Sequence, residues 1–133
     1  MFYRTPILAR YVLAIAQFVI FGFFLGLMTR SVNSQDFNRD VRPILATHCF
    51  ACHGPDATHR EAGLRLDERE SPIDSLAIVP GDPSSSELIE RITSDDQGHL
   101  MPPPEFGNEL NNAEIEILKK WIASGAKYER HWA

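Results

Sequence analysis

Residues 49–53 read Cys-Phe-Ala-Cys-His and contain the only two cysteines among the 133 residues of the chain. A C-x-x-C-H pattern is the attachment signature of a c-type haem. When these residues form one helical turn, the thiols of Cys49 and Cys52 can each bond to one vinyl group of a haem, and His53 can ligate its iron. The motif therefore predicts one covalently bound haem c, around which the chain has to fold, with His53 as an axial ligand.

Two other uses of a cysteine pair agree less well with the sequence. A structural zinc site needs four ligands at recognisable spacing. The histidines outside the motif are scattered, at positions 48, 59, 99 and 131. A thioredoxin-like dithiol requires a strand before the motif and a βαβ pattern around it, whereas the residues before Cys49 have a helical pattern. Haem attachment is therefore favoured over both.

The second axial position of the iron requires another side chain. Two of the three methionines belong to the apolar N-terminal segment, which leaves Met101, 48 residues after His53. Because proline fixes φ, Pro102–Pro104 would hold the weakly binding thioether of Met101 in place. His99, in the same loop, is the alternative, and His/His ligation would give a lower reduction potential than His/Met ligation. Met101 is favoured because of its prolines.

The haem pocket needs further polar partners. The second ring nitrogen of His53 requires an acceptor that fixes the orientation of the imidazole, and backbone carbonyls near Pro55 or Pro80 are candidates. Buried propionates would require N–H donors. Candidates for that role are Arg42, Arg65 and Trp121.

The N-terminal segment is apolar. Residues 11–28 contain no charged side chain, and Arg4 and Arg10 precede them. A basic region followed by an apolar run is typical of a secretory signal, and 18 residues is also the lower limit for a membrane span. Residues 1–34 are therefore predicted to be a signal peptide or an N-terminal membrane anchor. Either outcome exports residues 35–133 to the periplasm or to the outer side of the cytoplasmic membrane, where haem attachment takes place.

The exported part is acidic. It carries all 18 acidic side chains and 10 of the 13 basic ones, which gives a formal charge of −8. Such a domain is a poor binder of nucleic acid, and we expect it to dock on basic surfaces of redox partner proteins, where the charge acts on the encounter rate more than on affinity. The alternative is that the charge serves solubility alone.

Helical patterns precede the motif, and irregular structure follows it. The apolar spacing predicts a helix over residues 34–47, with Asp40 as N-cap and Pro43 in the first turn. Residues 63–67 alternate apolar and charged side chains, which predicts a short extended segment. Residues 68–75 are polar and are predicted to form turns.

Two further helices are predicted in the second half. Asp82 and Pro83 are a helix start, and this helix would bury Leu88, Ile89 and Ile92. Asn111 begins the last helix with a capping box. That helix should pack across the first one. The expected fold is mostly α and class I cytochrome c-like, with three to four helices around one haem and an apolar N-terminal helix before them.

Several segments resemble the planctomycete-type cytochrome c domain of the class I cytochrome c family, over about residues 37–133. They are Val41–Leu45, Cys52–Pro55, Gly63–Asp67, Pro80–Pro83, Met101–Pro104 and Trp121–Ala126. The resemblance implies haem c and electron transfer. In that family the domain usually stands at the start of a longer chain, and further domains follow a stretch like His131–Ala133. The sequence is therefore that of a free-standing carrier or of the N-terminal part of a multidomain protein.

The sequence thus predicts an exported mono-haem cytochrome that transfers one electron and is not an enzyme. Residues 35–133 would form the haem domain, with Cys49 and Cys52 as attachment sites and His53 and Met101 as iron ligands. An alternative is a haem enzyme or gas-sensing domain with an open distal site. A third possibility is an interaction module whose haem is only structural.

Overall fold

The structure, a computed structural model, describes residues 35–129. The predicted signal or anchor at residues 1–34 lies outside these residues, as does the stretch 130–133. Five α-helices occur in the described part: α1 (Arg42–His48), α2 (Phe50–His53), α3 (Glu70–Asp74), α4 (Glu87–Ile92) and α5 (Asn112–Ala123). Residues 35–129 contain no β-strand. The prediction of a mostly α fold is confirmed for this part of the chain.

None of the helices within residues 35–129 has the length and apolar character that a membrane crossing requires.

The entry into the domain is a π-helical turn, Phe37–Val41, that continues directly into α1. Its N-cap is Asp36, whose carboxylate accepts a hydrogen bond from the Arg39 amide at 2.8 Å. The prediction of Asp40 as N-cap is wrong, because the helical path begins one turn earlier. Pro43 lies in the first turn of α1, as predicted, where its missing N–H costs least.

The segment after the motif differs from the prediction. Residues 63–67 form no strand, although Leu66 is buried as expected. The stretch predicted as turns contains the one-turn helix α3, which buries Pro72 completely. The carbonyl of Pro72 accepts a hydrogen bond from the Ile78 amide at 2.8 Å. This helix is stabilised by tertiary contacts, since five residues show no amphipathic pattern of their own.

The start of α4 lies later than predicted. Asp82 caps a 3₁₀ turn, Pro83–Ser85, and accepts hydrogen bonds from the amides of Ser84 and Ser85. The buried hydroxyl of Ser86 then joins the carbonyl of Asp82 to the amide of Val79. Helix α4 follows at once. Its buried side chains are the predicted ones: Leu88, Ile89 and Ile92.

Helix α5 closes the core against the entry turn. Its N-terminus has the predicted capping box of Asn111 and Glu114. Trp121 is fully buried, with its ring centroid 5.7 Å from that of Phe37 and 5.1 Å from that of Tyr128. The prediction that the last helix packs on the first helical segment is therefore confirmed by this aromatic cluster.

Candidate functional site

The motif residues share a single helical turn. The amide of Cys49 donates to the carbonyl of Leu45, and the amide of His53 donates to the carbonyl of Cys49, both at 2.8 Å. Helix α1 therefore leads through Cys49 directly into α2, which contains Cys52 and His53. Both thiols are free and half-buried, and Cys49 packs against the hydrophobic core.

Burial controls the chemistry of Cys49. It raises the pKa of this thiol to about 12, and the nearby Cys52 acts in the same direction. A metal ligand would have to be the thiolate, so the apolar setting of Cys49 is unfavourable for zinc. Within residues 35–129, no group of three or more His, Cys, Asp or Glu side chains is arranged to hold a metal ion. The thioether that Cys49 would form with a haem vinyl group carries no charge, so it is compatible with the apolar core.

His53 presents a buried ring nitrogen. Its Nδ1 has no hydrogen-bond partner among the described residues. Burial lowers the pKa of His53, while the backbone and the carboxylate of Glu61 oppose that effect. The predicted acceptor near Pro55 is engaged elsewhere, because its carbonyl accepts from Arg60 Nη2 at 2.8 Å. A neutral imidazole with an unpaired nitrogen is the form that ligates iron, so the residue fits the group that the motif predicts.

Backbone hydrogen bonds fix the end of α2. The carbonyl of Cys52 accepts from the Glu61 amide, and that of His53 accepts from the Leu66 amide, both at 2.8 Å. The carbonyl of Gly54 accepts from Arg60 Nε at 3.2 Å. Sequence reasoning missed Arg60, although a basic side chain shortly after a helix C-terminus is a known partner for terminal carbonyls. The attachment turn is thereby held from its C-terminal side.

Met101 lies on a different element, the loop between α4 and α5. Its amide donates to the carbonyl of Arg91 at 3.1 Å. Beside it is a cavity of about 110 Å³, lined by Ile92, Leu100, Met101, Glu109 and Leu110. Typical ligand pockets measure roughly 300–1,000 Å³, so this cavity is too small for a porphyrin. The structure brings Cys49, Cys52 and His53 together on one turn, and its contacts leave the ligand role of Met101 a prediction.

The alternative ligand His99 faces a carboxylate. Its Nε2 lies 3.4 Å from Oε1 of Glu90, on α4.

Two candidate propionate donors already have partners in the protein. The indole N–H of the buried Trp121 donates to the carbonyl of Lys127 at 3.0 Å, so Trp121 is not available and that prediction is wrong. Arg65 is paired with the carboxylates of Asp67 and Glu68.

Sequence reasoning also missed a set of contacts around His48. Its Nδ1 lies 2.8 Å from the carbonyl oxygen of Asn108, and its Nε2 lies 3.3 Å from Oε1 of Glu114. The side-chain amide of Asn108 donates to the carbonyl of Thr47 at 2.5 Å. These contacts join the residues directly before the motif to the end of the Met101 loop and to the start of α5.

Comparison with known families identifies the segment that holds the site. The family model described as Planctomycete cytochrome C matches residues 49–105. This segment is therefore similar to the planctomycete cytochrome C family. The resemblance expected from the sequence is thereby confirmed over the segment from Cys49 to beyond Met101. Because the matching family is one of cytochrome c domains, the match supports covalent haem and haem-based electron transfer for this segment. No curated protein and no solved structure matches the chain.

Proposed function

We propose that the protein is an exported mono-haem c-type cytochrome that passes single electrons between partner proteins. Cys49 and Cys52 would hold the haem, and His53 and Met101 would be its axial ligands. The observation that carries this proposal is the single turn with two free thiols and a buried, unpaired nitrogen of His53, inside the segment that matches the cytochrome family. When bound, the haem supplies a one-electron couple at its iron.

The residues around the motif serve to hold and orient the cofactor. Cys49 packs against the core, so its thioether would anchor one edge of the porphyrin on apolar side chains. The backbone bonds to the carbonyls of Cys52 and His53 restrict the turn that presents the imidazole. Leu64 and Leu66 follow the motif and pack in or against the core, where they exclude water from this side.

Met101 is proposed as the second ligand because its position in the chain is more restrained than that of His99. Its backbone is anchored on Arg91, and three half-buried prolines follow it, which limits the freedom of the thioether. Nε2 of the competing His99 lies 3.4 Å from Oε1 of Glu90 and has no hydrogen-bond partner among the described residues, but His99 is followed by Leu100 and lacks the restraint of an adjacent proline. An iron with two protein ligands is closed to substrates, and it therefore transfers electrons instead of catalysing bond chemistry.

We also propose that the partner has a basic docking surface. Residues 82–116, which surround Met101 in the chain, contain nine acidic side chains and only one Lys or Arg. That residue, Arg91, is paired with Glu87 at 2.8 Å. Glu105 and Glu109 are exposed close to Met101 in the chain. The acidic side chains are thus concentrated in and around the Met101 loop, where their negative field would increase the rate of encounter with a positively charged partner.

Export through residues 1–34, as a cleaved signal or a retained anchor, completes the proposal. It rests on the basic and apolar pattern of that segment, and on the need to attach haem outside the cytoplasm. The mass of the exported protein distinguishes the two forms.

Haem attachment is tested on a denaturing gel stained for haem. The wild-type chain should keep its haem after denaturation, and Cys52→Ala should weaken or lose the stain. A matched control is Ser94→Ala, a half-buried position outside the motif, which should leave the stain unchanged. A normal stain in Cys52→Ala would refute covalent attachment through this residue.

Ligation is tested by absorption spectra. The oxidised protein should show the weak sulfur-to-iron band at the red edge of the spectrum, and the reduced protein should not react with carbon monoxide. Met101→Ala should lose the band, whereas His99→Ala should keep it. Persistence of the band in Met101→Ala would contradict the assignment. Ready binding of carbon monoxide by the wild-type protein would instead favour the haem enzyme or gas sensor.

A further inference from the structure

The two residues directly before Cys49 hold one residue of the Met101 loop from both sides. His48 Nδ1–H donates to the backbone carbonyl of Asn108 at 2.8 Å. The side-chain amide of Asn108 donates in turn to the carbonyl of Thr47 at 2.5 Å. Asn108 is therefore attached to the end of helix α1 through its main chain and its side chain. The attachment turn α2 follows immediately.

A carboxylate extends this arrangement to the last helix. Glu114 accepts the Asn111 amide at 2.9 Å through Oε2, as part of the capping box, and its Oε1 faces His48 Nε2 at 3.3 Å. Only 7% of the His48 side chain is exposed. Because the ring is shielded from water, its hydrogen bond to Asn108 is not easily exchanged for a bond to solvent.

The loop between Met101 and Asn108 is thereby fixed at both ends. At its start, the Met101 amide donates to the carbonyl of Arg91 on α4. At its end, Asn108 is bonded to Thr47 and His48. The residues between them include three prolines and a 3₁₀ turn, Pro104–Phe106, and so have little conformational freedom.

We propose that His48 is a positioning residue, which acts through Asn108 to hold the Met101 loop in register with the haem-attachment turn. This inference rests on the proposed function, since it concerns Met101 as an iron ligand. His48 contacts neither iron nor haem in this role. It determines how readily the loop releases the thioether.

The test is the competition of external imidazole with Met101 in the oxidised, haem-loaded full-length protein. His48→Gln removes the Nδ1–H donor to Asn108 and the ring that faces Glu114. We expect the affinity for imidazole to rise about ten-fold, since each net hydrogen bond is typically equivalent to a factor of a few in an equilibrium constant. His59→Gln is the matched control, because His59 is exposed and pairs only locally, with Asp56 and Thr58. Its imidazole affinity should equal that of the wild-type protein.

A second variant isolates the Asn108 side chain. Asn108→Ala removes the bond to Thr47 but keeps the backbone carbonyl for His48, so a smaller rise of a few-fold is expected. If His48→Gln does not acquire haem, the imidazole affinity of Asn108→Ala decides whether the inference holds. An unchanged imidazole affinity in Asn108→Ala would then overturn the inference.

Hydrogen exchange provides a measurement that does not depend on the axial bond. The amides of Met101 and of residues 105–108 should exchange faster in His48→Gln than in His59→Gln, while those of α5 beyond its first turn should not change.

The outcomes separate this inference from the proposed function. If the wild-type spectrum lacks the sulfur-to-iron band, His/Met ligation is wrong and the inference falls with it. If the band is present but His48→Gln has the imidazole affinity of the wild-type protein, the inference alone is overturned. An equal rise in the His59→Gln control would overturn it as well, because the effect would not depend on Asn108.

Discussion

Gly54, the residue directly after His53, occupies a position that admits no side chain. A Cβ built on Gly54 would lie 2.3 Å from the carbonyl oxygen of Phe50 and 3.1 Å from its carbonyl carbon and Cα. Its φ of −114° and ψ of −163° are accessible to any residue, so the restriction is one of space. Because the obstructing atoms are backbone atoms of α2, no rotamer change can relieve the clash.

The cost of Gly54→Ala follows from what has to move. The α2 turn must open near Phe50, beside the bond from the His53 amide to Cys49, while Arg60 Nε donates to the carbonyl of Gly54 itself. Overpacking costs about 1–3 kcal/mol, and each lost hydrogen bond adds about 0.5–1.5 kcal/mol. We expect the free energy of unfolding to fall by about 2–4 kcal/mol. The yield of covalent haem should fall too, because the spacing of the motif changes.

Gly98→Ala is the matched control. A Cβ at Gly98 would meet only the Asp96 carboxylate, at 3.4 Å, and its φ is not positive. The substitution should be neutral, or should stabilise the protein by about 0.4–1 kcal/mol through the unfolded state. Both variants are compared by urea denaturation, followed by circular dichroism, and by haem staining. Equal midpoints and equal haem yields for the two alanine variants would refute the spatial argument for Gly54.

Three other predictions concern stability. Trp121→Phe should lower the free energy of unfolding by roughly 1–3 kcal/mol, because a fully buried indole loses volume and its N–H···O bond; an unchanged denaturation midpoint would contradict this. Hydrogen bonds, foremost that from Ser84, lower the pKa of Asp82. The contribution of this carboxylate to the stability of the fold is therefore present above about pH 3.9, the pKa in the unfolded chain, and is lost as the pH falls through the lower pKa of the folded state. Asp82→Asn should therefore lose less stability on acidification, in thermal melts between about pH 6 and 2. Asn111→Ala should cost about 1 kcal/mol as a lost N-cap, whereas Asn112→Ala, at an exposed position, should cost less in the same denaturation assay.

Features encoded within a few residues could be predicted from the sequence. The capping box needs only Asn111 and Glu114, and the buried face of α4 needs only the spacing of its apolar side chains. The turn of Cys49 to His53 belongs to the same class, since its geometry is set by hydrogen bonds four residues apart. In each case the pattern and the physical cause lie in one window of the chain.

Features that depend on the course of the backbone or on partners outside the local pattern were missed. Asp40 and Asp36 are both good N-cap residues, and the path of the backbone through the π-helical turn decides between them. Helix α3 depends on the burial of Pro72, whose carbonyl accepts a hydrogen bond from the Ile78 amide. Trp121 was a candidate donor to a propionate, but the tail after α5 folds back and supplies the carbonyl of Lys127. None of these choices leaves a periodic signal.

The candidate site also has a local part and a part that depends on other elements. The half with His53 is restrained by residues near it in the chain, and the half with Met101 by residues further away. The half with His53 is held within the segment 45–66, where successive carbonyls of the attachment turn accept backbone and arginine donors. The half with Met101 is held at its start by the carbonyl of Arg91. At its end, Asn108 is held by His48, which lies sixty residues earlier in the chain. A local motif could therefore identify the attachment turn. Under the proposed ligation, side chains outside the motif decide the register of the two halves. Substitutions at those positions should then weaken the bond from Met101 to the iron before they reduce haem attachment.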